Sequence, residues 1–361
     1  MWIKSVYQKL IPVSIREGKL INACRKKYNL WFRYDHTYDK YDWQEVRVSL
    51  GKNNPDKTFL VIRNAPYHIG LLACYLKALN YIKKYEDDDV IPFMDMESNY
   101  NDCVDNLEDW NKRVNSWEHY FLPLSDYSFS QIKKSKNVIF SSGFEKTSDD
   151  NVLFRGTTIT NDALKTYYQI DNKYFKLQPN IKRRFELKYE KLLKNKRVLG
   201  TMIRDDYIFL AAGRDQNDPY YLNMFSKEYG INNHPKQPSP QELCNILEIK
   251  MKEWNCDYLY VITETSYSFS VFKERFGERL IHSGREIKQI DELNYSKYID
   301  SAREFNKTHP RVNENIAYLE EIYLLSKCTS ISAGRCSGSV VAALWNRGEY
   351  EHTEILQIGV Y

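Results

Sequence analysis

Arg204 closes the apolar run RVLGTMI and opens the segment Arg204-Asp205-Asp206-Tyr207. A guanidinium at a strand end that faces a cleft suits a bidentate grip on a phosphate. Its acidic neighbours have two readings. Asp205 pairs with Arg204 as a surface ion pair, or Asp206 stands near a sugar hydroxyl as a general base. Downstream, NHPKQPSP leads into an amphipathic stretch. Its prolines stiffen the chain and hold His234 and Gln237 at the mouth of a helix, where the dipole favours an anion. A third candidate is Ala333-Gly334-Arg335-Cys336-Ser337-Gly338-Ser339, between a strand and an apolar helix. Small residues there let backbone N–H groups approach a diphosphate, and Ser337 and Ser339 can donate to it. An ordinary strand–helix turn with a serine cap reads equally well. Thr263-Glu264 ends the strand DYLYVIT. That carboxylate can accept two hydrogen bonds from a guanine edge or cap the following helix.

Two acidic groups bear on metal chemistry. Asp87-Asp88-Asp89 precedes a strand and reads as a solvated turn, whereas Asp95-Met96-Glu97 follows the strand VIPFM. Asp95 and Glu97 would either ligate a divalent ion against a diphosphate or cap the next segment. The sequence has no GxxxxGK phosphate loop, no GxGxxG after a strand, no HExxH and no GxSxG, which removes the chemistries tied to those motifs.

The elements that must position these residues alternate between strand and helix. Thr58–Arg63 and Val90–Met94 read as strands around a helix over Leu71–Lys84, while residues 95–180 look less regular. Lys182–Lys196 reads as a charged linker helix. In the second half the expected strands are Arg197–Ile203, Tyr258–Ile262, Arg279–His282, Ser330–Ser332 and Ile355–Gly359. The expected helices are Gln241–Trp254, Tyr267–Phe276, Asn315–Lys327 and Ser339–Trp345. Ser239 as N-cap, Pro240 at the first position and Glu242 at the third mark the start of the first of these. Near-continuous apolar strands alternating with helices predict parallel sheets covered on both faces. Two such units make a two-lobed α/β protein with ligands at the carboxyl ends of its strands.

Composition bounds the rest. The 361 residues are 42% hydrophobic and 28% charged, with a formal net charge of +4, too little for a protein devoted to gripping nucleic acid. Residues 1–33 hold eight lysines and arginines against Glu17 alone, so the remainder is slightly acidic. Trp2, Ile3, Val6, Leu10 and Val13 recur among those cations at near-helical spacing. They suggest either a peripheral contact with an anionic membrane face or a basic start that packs on its own domain. No uncharged apolar run reaches the ~18–20 residues that cross a bilayer, and no signal peptide is recognisable. Seven cysteines without a CxxC pair predict buried free thiols and a cytoplasmic location.

Taken in order, VLGTMIR-DDY, HPKQPSPQEL, CDYLYVITET, FKERFGERLI, YLEEIYLLSKCTSISAGRCSGSVVAALWN and ILQIGVY resemble α1,6-fucosyltransferase-like glycosyltransferases, in particular their bacterial polysaccharide-biosynthesis branch. In the first half, FLVIRNAPYHIGLLACYLKALNYIKKY, VIPFMDMES and VNSWEHYFLPLSDYS agree with that branch. The resemblance covers about residues 57–140 and 197–361. It implies a GT-B fold: an α/β chain of two Rossmann-like lobes with a cleft between them. The expected organisation is a basic segment over residues 1–33, an acceptor-side lobe over 34–180, a linker helix over 181–196 and a nucleotide-sugar lobe over 197–361.

The resemblance further implies inverting, metal-independent transfer of L-fucose from GDP-fucose to a hydroxyl of a glycan or lipid-linked oligosaccharide, with no cofactor. Arg204 and Asp206 would be catalytic. Arg204, Tyr207, His234, Gln237, Thr263, Glu264, Ser337, Gly338 and Ser339 would bind the donor. The chain departs from the family after the arginine: the family has Arg-Gly-Thr-Asp-Tyr, or a second basic residue after the arginine, and Arg204-Asp205-Asp206-Tyr207 is one residue shorter and more acidic. Residues 211–233 then form an insertion before His234. The base is therefore Asp206, or has moved to Asp215 or Asp218, or the acceptor site is unusual. A metal-dependent enzyme using Asp95 and Glu97, and a non-catalytic nucleotide-sugar binder, are the alternatives.

Overall fold

A computed structural model describes residues 44–63, 70–98, 101, 103–104, 114–143, 159–205, 225–226, 230–231, 235–292 and 294–359. The basic start, residues 1–33, lies outside them. Two sheets carry the architecture. The first has the order β1-β4-β2-β3, from β1 (Val46–Val48), β2 (Asn53–Arg63), β3 (Val90–Asp95) and β4 (Ser135–Phe140). β2 pairs in parallel with β3 and β4, and β1 adds an antiparallel edge to β4.

Side-chain alternation along β2 explains why this sheet is covered twice. Leu60 and Ile62 face α1 (Leu71–Lys84), while Phe59 and Val61 pack with Phe93, Val138, Phe140 and the short α2 (Phe129–Ile132). The helix expected over Leu71–Lys84 has those bounds. Residues 95–180 are more ordered than their composition suggests: they contain β4 and α3 (Asn161–Tyr174), which Thr160 caps by accepting the N–H of Ala163. α4 (Pro179–Leu192) then leads to the second sheet.

That second sheet is entirely parallel, in the order β11-β10-β5-β8-β9. Its strands are β5 (Val198–Met202), β8 (Tyr258–Ile262), β9 (Leu280–Ile281), β10 (Ser330–Gly334) and β11 (Thr353–Leu356). Numbered in chain order within the lobe, this is the 3-2-1-4-5 arrangement of a doubly wound α/β sheet. A small hairpin, β6 (Phe225–Ser226) with β7 (Gly230–Ile231), lies between β5 and the next helix.

Leu199, Leu259 and Val261 face α5 (Pro240–Glu253) and α6 (Ser266–Phe276); Met202, Tyr260, Ile262, Ile331 and Ala333 face α8 (Arg311–Leu325) and α9 (Ser337–Asn346). α7 (Tyr295–Thr308) precedes α8. The predicted start of α5 is a full capping box: Ser239 Oγ accepts the N–H of Glu242 at 3.2 Å, and the N–H of Ser239 donates to Glu242 Oε2 at 2.8 Å. β11 begins two residues before the predicted Ile355 and stops at Leu356, because its register is set by pairing with Ile331–Gly334 of β10.

The core cluster that includes α1 of the first lobe continues into α8 and α9 of the second. No helix among the described residues is long and apolar enough to cross a membrane.

Candidate functional site

In each sheet the central strand sends its chain to one neighbour while a later strand pairs on its other side. Loops leaving the two strands part company there, and the sheet opens a crevice at its carboxyl edge. In the second lobe that place lies between β5 and β10. Arg204 follows β5 by two residues and is half-buried; Gly334 ends β10. Gln237 joins them. Its Oε1 accepts the N–H of Arg204 at 3.2 Å, and its Nε2 donates to the carbonyl of Arg335 at 2.7 Å. A side chain on Gly334 would place Cβ 2.4 Å from Gln237 Oε1, so the bridge requires glycine at the end of β10. Arg204, Gln237 and the Gly334–Ser339 turn are far apart along the chain, and the fold brings them to one crevice.

α9 points its first turn at the same place. Gly338 allows close approach, since a Cβ there would stand 2.7 Å from both Met202 Sδ and Tyr318 Oη. Ser339 is fully buried. Its Oγ donates to the Gly334 carbonyl at 2.8 Å and accepts the N–H of Cys336 at 3.0 Å. That hydroxyl is spent on bonds within the turn. Cys336 and Ser339 spend their amides on the capping box, so the turn presents Ser337, half-buried at the first helical position, with the N–H groups of Ser337 and Gly338.

Asp205 also departs from expectation. It is wholly buried rather than paired at the surface: Oδ1 accepts the N–H of Glu264 at 2.9 Å, and Oδ2 accepts the Thr265 hydroxyl. The β5 loop is thereby tied to the β8–α6 turn. Thr265 itself caps α6 by accepting the N–H of Ser268, so capping does not fall to Glu264.

Glu264 instead enters a network of buried charge. Its Oε2 lies 3.2 Å from Lys288 Nζ and its Oε1 lies 3.5 Å from Arg285 Nη2. Burial opposes its ionisation, but the charges of Arg285, Lys288 and Arg204 prevail and hold the carboxyl down at about 2. Arg204 is thus close enough to Glu264 to act on it electrically. Two ligand positions of the carboxylate are taken by cations, and a carboxylate has about four. Thr263 is buried; its carbonyl accepts from Arg285 Nη2 at 3.1 Å.

Arg285 was not singled out by its sequence. It lies in a loop, HSGREIK, with no motif around it, and only the fold shows that Glu314 and Glu321, seven residues apart on α8, turn one face toward it. Arg285 Nε donates to Glu321 Oε2 at 2.7 Å and Nη1 donates to Glu314. Burial raises the Glu321 carboxyl to about 7 against the pull of Arg285. Burial also lowers His282, whose Nδ1 accepts the N–H of Gly284, to about 4.

Asp206, Tyr207, Asp215, Asp218 and His234 lie outside the described residues. In the first lobe, Asp95 Oδ1 accepts the N–H groups of Glu97 and Ser98 at 3.2 and 3.0 Å, the capping role that competed with metal ligation for it. Among the described residues no three His, Cys, Asp or Glu side chains form a group that could hold a metal ion. The six described cysteines are free thiols.

No protein-family model and no curated protein sequence matches the chain. Among solved structures it is similar to the α-1,6-fucosyltransferase NodZ soaked with GDP-fucose, at 9% identity and a TM-score of 0.44, over 80% of this chain and 92% of that one. A further structure of NodZ, from Bradyrhizobium, is similar at 10% identity and a TM-score of 0.43, over 80% and 92% of the two chains. FUT1 of Arabidopsis thaliana in complex with GDP is similar at 11% identity and a TM-score of 0.43, over 90% of this chain and 77% of that one.

Proposed function

We propose that the chain is a GT-B glycosyltransferase that transfers L-fucose from GDP-fucose to a glycan hydroxyl, with inversion and without a metal ion. The observation that supports this reading best is the meeting of Arg204, Gln237 and the α9 turn at the crevice between β5 and β10, beside the ionised Glu264. A diphosphate at that crevice has a guanidinium, backbone amides and a helix N-terminus within one site. The ordered motifs resembling fucosyltransferases supply the donor.

When the bond from sugar to diphosphate breaks, an oxocarbenium-like centre forms and negative charge grows on the departing β-phosphate. Arg204 and the α9 amides stabilise that charge; one such donor is worth ~3–4 kcal/mol. A carboxylate, Asp206 in this reading, takes the proton of the attacking hydroxyl. Glu264, held as an anion, accepts from the ring N–H and amino group of guanine with its remaining lone pairs.

Incubating the protein with GDP- and UDP-sugars in EDTA, and scoring sugar release and thermal shift, tests this directly. GDP-fucose is expected to be consumed and GDP to stabilise the fold. Consumption that needs added Mg²⁺ or Mn²⁺ would favour a metal-dependent enzyme. GDP binding without any turnover would favour a non-catalytic nucleotide-sugar binder.

A further inference from the structure

We propose that Arg285 is a positioning residue for recognition of the nucleotide base: it fixes where the Glu264 carboxylate stands by anchoring it to α8. The inference rests on the reading of Glu264 as the acceptor for guanine. Four oxygens from two elements converge on this one guanidinium. Nη2 reaches the Thr263 carbonyl and Glu264 at the end of β8, while Nε and Nη1 reach Glu321 and Glu314 on α8. The side chain of Arg285 is only 4% exposed and that of Glu321 is not exposed at all. Ser283 Oγ donates to the other oxygen of Glu321 at 2.6 Å, so the anchor is itself held.

Geometry sets the role apart from simple charge balance. Lys288 also neutralises Glu264, but an ammonium is a point charge on a flexible stem. A planar guanidinium with acceptors on three nitrogens has one orientation, and through it the carboxylate of Glu264 acquires one as well. The same guanidinium lies 5.7 Å from the centre of the Tyr318 ring, whose hydroxyl occupies the space beside Gly338 under α9. Arg285 therefore braces the base end of the crevice against the helix that carries its phosphate end, without reaching the reacting atoms.

The test uses Arg285→Lys, which keeps the charge and loses the fork. Glu314→Gln weakens the same anchor from its more exposed side, should the lysine variant fold poorly. Glu264→Gln addresses the underlying reading. Calorimetric titration of the full chain with GDP, ADP and inorganic pyrophosphate gives base selectivity separately from phosphate binding, and steady-state rates with GDP-fucose separate KM from kcat. Arg285→Lys is expected to weaken GDP by about tenfold, with a smaller loss for Glu314→Gln. Pyrophosphate affinity should stay unchanged, KM should rise and kcat should stay within about twofold.

A loss of selectivity in Glu264→Gln alone, with both anchor variants like wild type, overturns the role of Arg285 and leaves the reading of Glu264 standing. Unchanged selectivity in Glu264→Gln overturns that reading and the inference with it. Equal losses of GDP and pyrophosphate affinity in Arg285→Lys would mean general structural damage and also overturn the inference.

Discussion

Arg204 and Asp205 are sequence neighbours with opposite fates, and the difference comes from burial. A carboxylate with two donors waiting at the β8–α6 turn can leave water at acceptable cost, so Asp205 turns inward and becomes a tie between loops. This leaves Asp206 as the carboxylate of the segment proposed for proton abstraction. Asp206→Asn is expected to lower kcat by ~10²–10⁴-fold while GDP affinity, measured by calorimetry, holds within about twofold. If both stay intact, the base lies elsewhere, with Asp215 and Asp218 next in line. Gly334 makes a second test at this scale. Gly334→Ala forces Cβ against Gln237 Oε1 and should cost about 1–3 kcal/mol in chemical denaturation. Gln237→Ala should add less on top of it than it costs alone, because the alanine at 334 has already displaced the amide.

The elements were legible where local signals agree with tertiary demand. Tyr258–Ile262 is a short continuous apolar run, and a strand buried on both faces needs little else. The Ser239–Glu242 box marked α5 because capping is a purely local interaction. β4 was missed because its apolar part, Val138 to Phe140, is three residues long and follows a run of lysines; the strand exists because β1 and β2 pair on either side of it. α7 was missed for a different reason. YSKYIDSAREFNKT is mostly polar and relies on Tyr298 and Ile299 packing against Ile290 and Tyr267.

The site divides in the same way. Arg204, Gln237 and the Gly334–Ser339 turn stand at strand ends and helix starts, which periodicity locates. Arg285, Lys288, Glu314 and Glu321 meet only because β8, the loop after β9 and α8 are brought together, and spacing along the chain carries no trace of that. The fold also explains why a doubly wound sheet suits the proposed chemistry: its crevice gathers ligands from distant segments without any of them forming a contiguous motif.

At the scale of the molecule, the two lobes share a buried polar chain. Trp345 Nε1 on α9 donates to Tyr75 Oη on α1 at 2.9 Å, and Tyr75 donates to Asp171 on α3. Asn315 on α8 donates to Tyr120 Oη at 3.1 Å. α9 thus starts at the proposed phosphate site and ends against the first lobe. Burial raises the Asp171 carboxyl from the ordinary range to about 6, opposed by Tyr75, Arg347 and Lys176.

The folded state therefore holds a proton there that the unfolded chain releases between about pH 4 and 6. Stability from this group falls as pH rises through that window and stays low above it. Relative to Asp171→Asn, which does not titrate, the wild type should gain on the order of 2 kcal/mol between pH 7 and pH 4.5 in urea denaturation. A difference independent of pH would mean that Asp171 is ionised throughout.

In the proposed reaction Arg204 neutralises the departing diphosphate. Turnover of GDP-fucose by Arg204→Ala, measured in EDTA alongside GDP titration, tests it most directly. In that variant kcat is expected to fall by ~10²–10³-fold and GDP affinity to weaken, with folding preserved. A variant that turns over GDP-fucose at the wild-type rate would contradict it.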